Sequence, residues 1–270
     1  MSDNAKLPPF DASLAFHKTQ SPDIGWTLGS GMRDATPLAR QWKEDERLGW
    51  KTLDFDKMEK PDVYRLLTSA ITPRPVAFVS TLSASGEPNL APFSYFSMVS
   101  HNPPLVSISC TLPSNRPKDT RENIKETKEF VVNIISEAFV DAASSTSIEA
   151  PADIDEWAVS GLTSMPSLRQ LYHFLDITLP ELPSSGPTGS LILGRIRRAH
   201  IRRAVLTKNT VAPGSETDSV VVDPALLRPI ARLGGDTFAR LGTGFDIARP
   251  SWRALEGEVR ALQKRQGHDE

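Results

Sequence analysis

The sequence is poorest in sulfur and in uninterrupted apolar runs. One cysteine, Cys110, stands among 270 residues. A chain with a single thiol cannot close a disulfide on itself or build a multi-thiolate metal site. That fits a reducing compartment. No stretch reaches the roughly 18 apolar residues that a bilayer-spanning helix needs. The opening MSDNAKLPPF lacks the apolar run of a signal peptide. The expectation is a cytoplasmic chain with no membrane partner. Neither sign of charge is in excess. The 31 Lys and Arg against 33 Asp and Glu give a formal net charge of −2, so no global field draws the chain to nucleic acid.

Several chemical signatures are also missing. The five histidines, His17, His101, His173, His200 and His268, show no H-x-x-x-H spacing and no adjacent Cys or paired acid. A histidine metal site is therefore not expected. The glycine-rich GGDTFARLGTG (234–244) follows no strand and has the wrong spacing for a dinucleotide fingerprint. It lacks the Gly-Lys-Ser/Thr of a P-loop, and the chain has no G-x-S-x-G elbow. Taken alone, it reads as a loop.

What is present is β-rich. Residues 1–50 hold Pro, Gly and charge with Trp26, Trp42 and Trp50 scattered through them, and no period persists. They read as a surface extension, mostly loop, anchored by its tryptophans. PDVYRLLTSA (61–70) places Val63, Leu66, Leu67 and Ala70 at helical spacing behind Pro61. PVAFVSTL (75–82) is strand-like, SASGEP is a turn, and LVSISCT (105–111) alternates as a half-buried strand does. In it Cys110 reads as a small core residue. KDTRENIKETKEF (118–130) reads as a charged helix with Asp119 as N-cap. FVVNII (130–135) is a further strand, and SEAFVDAASST is helical. SLILGRIRRAHIRRAVL (190–206) is a long strand candidate, and SVVVD (219–223) another. The arginines Arg195, Arg197, Arg198, Arg202 and Arg203 make either a solubilising strand face or a landing strip for an anion such as a nicotinamide dinucleotide. With no sustained βαβα alternation, an antiparallel barrel, closed or nearly so, fits better than a doubly wound sheet.

Four segments in order then carry a resemblance. They are PRPVAFVSTLSASGEPNLAPFSYFSMVSHNPPLVSIS, KDTRENIKETKEFVVNI, TSIEAPADIDEWAVSGL and LRPIARLGGDTFARL. Over roughly residues 55–250 the chain resembles the flavin reductase-like, FMN-binding split-barrel proteins, among them reductase components of two-component monooxygenases. The resemblance implies a β-dominated α+β fold, a Greek-key split β-barrel with short flanking helices. The domain expectation is an extension at 1–50, a split-barrel domain at 51–250 and a tail at 251–270. A homodimer with FMN at its interface is implied, with FAD as another possible flavin, NAD(P)H as electron donor and an oxygenase as partner.

FMN has a flat apolar ring, a polyol and a dianionic phosphate. The resemblance places the ring wall at Pro75, Pro92, Tyr95 and Phe96, with Asn89 and Ala91 as further cofactor-binding positions. Hydroxyls for the polyol come from Ser80, Thr81 and Ser94. The phosphate falls to Lys118 and Thr120 beside a helix start, which favours an anion; Arg74 or Arg116 adds a grip on phosphate or on the flavin O2 edge, and Asp119 is a further cofactor-binding position. Arg74 is the first candidate for a cation at the flavin N1–O2 edge, and no catalytic side chain is assigned. The expected function is hydride transfer from NAD(P)H to FMN. The alternatives are a flavoenzyme acting directly on a small organic substrate, its pocket shaped by the extension, and a non-catalytic electron carrier. The chain departs from the pattern in three places. A stretch after Ser167 is short, Ala150 stands where relatives carry an aromatic, and Phe238 stands where a tyrosine is common.

Overall fold

The computed structural model describes residues 7–112, 117–148, 150–151, 154–165, 174–178, 189–207 and 221–266. The chain divides into two compact units, residues 60–241 and a second built from residues 1–59 with 242–270.

In the 60–241 unit, helix α2 (Lys60–Ala70) leads to β2 (Arg74–Pro75), β3 (Ala77–Leu82), β4 (Pro88–Phe93), β5 (Phe96–His101) and β6 (Pro104–Thr111). Then come α3 (Asp119–Thr127), β7 (Val131–Ile134), α4 (Val140–Ser145) and α5 (Glu156–Ser160). The remainder is β8 (Phe174–Thr178), β9 (Gly189–Arg195), α6 (Pro224–Leu227), β10 (Ile230–Arg232) and β11 (Phe238–Arg240). The strands make three antiparallel sheets in the orders β4-β3-β7, β5-β6-β9-β8 and β11-β10-β2. Mixed α and β structure with short helices is thus observed. Among the described residues no sheet closes into a barrel.

Strand β3 explains the continuous run VAFV. Ala77 and Val79 face one core, with Val106, Ile108, Cys110, Ile124, Phe130 and Ile192. Val76 and Phe78 face a second, with Leu90, Ile135, Ala143 and Ile230. A strand covered on both faces loses its alternation of apolar and polar residues. Strand β6 keeps it, burying Val106, Ile108 and Cys110 alternately, and Cys110 lies in the core as expected. Residue 194 must be glycine for Phe130 to fit, since a Cβ there would lie 2.3 Å from the Phe130 ring.

The β3–β4 hairpin pairs Ala77 with Phe93 through Leu82 with Pro88. Its turn is closed by Ser83 N donating to Glu87 O at 2.9 Å, with Gly86 at φ +90° supplying the left-handed residue. The return run does not continue as one strand. It breaks at Ser94–Tyr95, so that β4 and β5 enter different sheets. Three further expectations change. Strand β9 stops at Arg195, and Arg197, Arg198, Arg202 and Arg203 follow in exposed non-strand backbone. The N-cap of α3 is Lys118, with Asp119 already helical. Of the 219–223 strand expectation, Val222 makes only an isolated bridge with Leu206, and residues 219–220 lie outside the described residues.

The other unit has local order without a core among the described residues. It holds β1 (His17–Thr19) paired in parallel with β12 (Thr243–Phe245), α1 (Pro37–Asp45) and α7 (Trp252–Gln266). Sequence periodicity missed α1, though its signals are present. Thr36 Oγ1 accepts from Ala39 N at 3.1 Å and Pro37 opens the helix. Arg33 grips Asp23 through two bonds of 2.9 and 2.5 Å. That guanidinium holds the Asp23 carboxyl below its ordinary pKa. No described residue of this unit is buried.

Candidate functional site

A groove of about 440 Å³ opens where the β4–β5 corner, the end of β6 and the start of α3 converge. That lies within the range of roughly 300–1,000 Å³ usual for small-molecule sites. One wall is Asn89, Ala91, Pro92, Ser94 and Tyr95. Tyr64 of α2 joins it, and Ser109 and Thr111 of β6 add hydroxyls. At the helix start stand Lys118, Asp119 and Thr120, and Ser147 and Ala150 border the groove too.

The corner is fixed by sheet hydrogen bonding. Ser109 N donates to Tyr95 O at 2.8 Å, which ties the bend to β6. The helix start is fixed by a buried polar network. Asn89 Nδ2 donates to Thr120 Oγ1 at 2.8 Å and to Thr81 Oγ1 at 3.3 Å. Asn123 Nδ2 donates to Thr81 Oγ1 at 3.0 Å. All four side chains are buried, so their donors have no water to turn to. The network clamps α3 onto the β3–β4 hairpin and fixes where Lys118 sits. The Lys118 side chain makes no cap on its own helix, and the nine-residue α3 brings its positive end to the groove.

Two tyrosines, Tyr64 and Tyr95, also line the groove. Burial pushes the Tyr95 phenol above its ordinary pKa, Tyr64 adds to that, and Arg74 pulls the other way. Tyr95 is therefore a neutral hydrogen-bonding group at neutral pH. Glu156 completes the groove. It is buried, its Oε2 accepts from Leu90 N at 3.2 Å on the free edge of β4, and it also borders a second groove of about 220 Å³ with Ser83, Glu87 and Asn123.

Of the residues expected at the site, Asn89, Ala91, Pro92, Ser94, Tyr95, Lys118, Asp119 and Thr120 meet at this groove. Others do not line it. Thr81 lies behind Asn89 as an acceptor. Ser80 shares the opposite face of β3 with its cross-strand partner Leu90, because side chains alternate along a strand. Phe96 packs on the core. Pro75 is exposed on β2. Arg74 donates to the carbonyls of Thr68, Ile71 and Leu233, which ties α2 to the end of β10, and its buried Nε has no partner among the described residues. Arg116 and the stretch after Ser167 up to residue 173 lie outside the described residues. Phe238 sits partly buried against the second core, with the Arg232 guanidinium 4.4 Å above its ring.

Sequence reading missed Tyr64, Asn123, Glu156 and the β6 hydroxyls. Asn123 was legible as a polar residue one helical turn after Thr120. Glu156 lies in the quoted ADIDEWAVSGL, directly after the N-cap Asp155.

The flavin reductase like domain matches residues 69–208. An uncharacterized protein of Halalkalibacterium halodurans is 32% identical over 212 residues, covering 74% of this chain and 96% of its own. The Bacillus subtilis protein YwrF is 32% identical over 208 residues, covering 73% and 97%. Among solved structures, nitrilotriacetate monooxygenase component B of Bacillus cereus is 30% identical with TM-score 0.66, covering 74% of this chain and 99% of that one. A Shewanella frigidimarina protein with a split barrel domain, 19% identical over 75% of this chain and 99% of its own, shares the fold at TM-score 0.55. The chain belongs to the flavin reductase-like family. At the level of the family it is a flavin-related oxidoreductase. No described helix is long and apolar enough to cross a membrane.

Proposed function

We propose that the 60–241 unit binds FMN in the 440 Å³ groove and is a flavin reductase, taking hydride from NAD(P)H. The observation that carries this reading is the polarity of the groove. A cation, a helix N-terminus, several hydroxyls, tyrosine and proline line the same groove. That set of groups suits a phosphate, a polyol and a flat ring. When bound, the flavin supplies the two-electron chemistry.

The chain's own groups bind and orient. Lys118 and the first turn of α3 hold the phosphate. Ser94 and Thr111 face the polyol. Pro92 and Tyr95 bound the ring and keep water from one face. Thr81, Asn89, Thr120 and Asn123 hold the helix against the hairpin. The split barrel of the neighbours, in a Greek-key arrangement, extends to this chain, and the flavin lies at a homodimer interface. The Bacillus cereus relative is a component of a monooxygenase, which supports an oxygenase as the consumer of reduced flavin. We place the reaction in the cytoplasm.

The test is to identify the ligand released on denaturation by mass and spectrum, then mix the loaded protein anaerobically with NADH or NADPH. Release of FMN and loss of its visible absorbance are expected. A loaded protein whose colour persists with both donors ends the reductase reading.

A further inference from the structure

Beside the larger groove lies the smaller one of about 220 Å³, between the β3–β4 turn, the start of α3 and the start of α5. Its chemistry is one-sided. Glu87, Asp119 and Glu156 bring carboxyl groups, Asn89 and Asn123 bring amides, and the turn adds serine hydroxyls. Among the described residues that line it, none is Lys, Arg or His.

Acidic groups are common on a solvated surface, but here part of the polar wall is buried. Asn89, Asn123 and Glu156 are each only 8% to 9% exposed. Both asparagines donate their amide nitrogens to the threonine network. Glu156 Oε2 accepts from Leu90 N. Three oxygens are left over. Asn89 Oδ1, Asn123 Oδ1 and Glu156 Oε1 accept no bond among the described residues. None of the three is sealed in the core. They open on the space that their residues border, and Asn123 borders the smaller groove and not the larger. Buried acceptors are normally matched by donors. Three left open at one place point to a ligand that brings donors with it.

Size and charge narrow the class of that ligand. At roughly 30 Å³ per water, the groove has room for about seven water-sized groups. A bare metal ion does not span it, and among the described residues no three His, Cys, Asp or Glu side chains converge to hold one. A phosphate or a carboxylate would face like charge on three sides. A small organic cation fits both demands. Its charge answers the carboxylates, and its N–H groups reach the open amide oxygens.

We propose that this groove binds a small alkylammonium cation of the size of a short diamine. Glu87, Asp119 and Glu156 supply the counter-charge, and Asn89 and Asn123 the neutral acceptors. Because Asn89, Asp119 and Glu156 also border the larger groove, the occupant's charge favours an anion there. The proposal does not depend on flavin binding.

The experiment titrates the flavin-free, full-length protein with 1,4-diaminobutane by calorimetry at constant ionic strength. Parallel titrants are 1,4-butanediol and magnesium chloride. Saturable binding of the diamine is expected, with the diol weaker by about tenfold or more. Glu87→Gln alters only an exposed turn side chain and is expected to weaken the diamine about threefold. Adding Asp119→Asn should bring the loss to about tenfold. Glu126→Gln removes the same charge from an exposed position outside the groove and should match the parent. Circular dichroism checks that each variant folds. Absence of saturable diamine binding overturns the proposal, as does equal binding of the diol or displacement of the diamine by equimolar magnesium. A Glu87→Gln variant indistinguishable from Glu126→Gln overturns it too. Since no flavin is present, failure here is separate from failure of the flavin reading.

Discussion

Replacing Thr81 by valine keeps the shape of the side chain and deletes the acceptor at the centre of the buried network. Two donors aim at that oxygen, Asn123 Nδ2 at 3.0 Å and Asn89 Nδ2 at 3.3 Å. Asn89 keeps its shorter bond to Thr120 at 2.8 Å, so the main loss is at Asn123. Leaving a buried donor unsatisfied costs about 1–3 kcal/mol. The added methyl recovers up to about 0.8 kcal/mol. The net expectation is a loss of about 1–2 kcal/mol, or a Tm lower by about 2–8 °C for a unit of this size. Urea and thermal melts measure it. The stricter form adds Asn123→Leu. Removing both partners leaves no orphan, so the double variant should be at least as stable as Thr81→Val alone. If the two costs simply add, the network does not act as argued. Because the network fixes the start of α3, Thr81→Val should also loosen FMN.

Four further outcomes are expected. Lys118→Ala removes one charge-assisted contact and should weaken FMN about ten- to a hundredfold while leaving riboflavin unchanged, as fluorescence titration would show. Glu156→Ala strands the Leu90 amide and should cost about 1–3 kcal/mol in urea, whereas Glu156→Gln keeps an acceptor and should lie close to the parent. Gly194→Ala drives a Cβ into the Phe130 ring and should destabilise by about 1–3 kcal/mol, with Phe130→Leu relieving it in combination. The raised phenol pKa of Tyr95 favours its protonated form in the fold. That contribution is present below the ordinary tyrosine pKa of about 10 and is lost as pH rises through the folded value. An ultraviolet titration of the parent against Tyr95→Phe should place the missing phenol above about 10.

Short-range chemistry made much of the fold legible. The apolar run of β3, the turn at Gly86, the alternation of β6 and the helix at 119–127 all follow from local pattern. Other features answer to longer-range contacts. The stretch after Arg195 has strand-like apolar spacing yet leaves the sheet, since β6 pairs with it only as far as Leu105. The Ser94–Tyr95 corner is invisible locally, because it arises when β4 and β5 find different partners.

The chain by itself determined the family, the strand-rich composition of its main unit and eight of the eighteen residues that line the groove, because side-chain chemistry and spacing are local properties. Tertiary structure decided which of those residues meet. It turned Thr81 into a support behind Asn89, committed Arg74 to backbone carbonyls, and brought Glu156 from 66 positions away onto the amide of Leu90. These depend on which face of a strand is covered and on what packs against a free edge, and neither is written in any one segment.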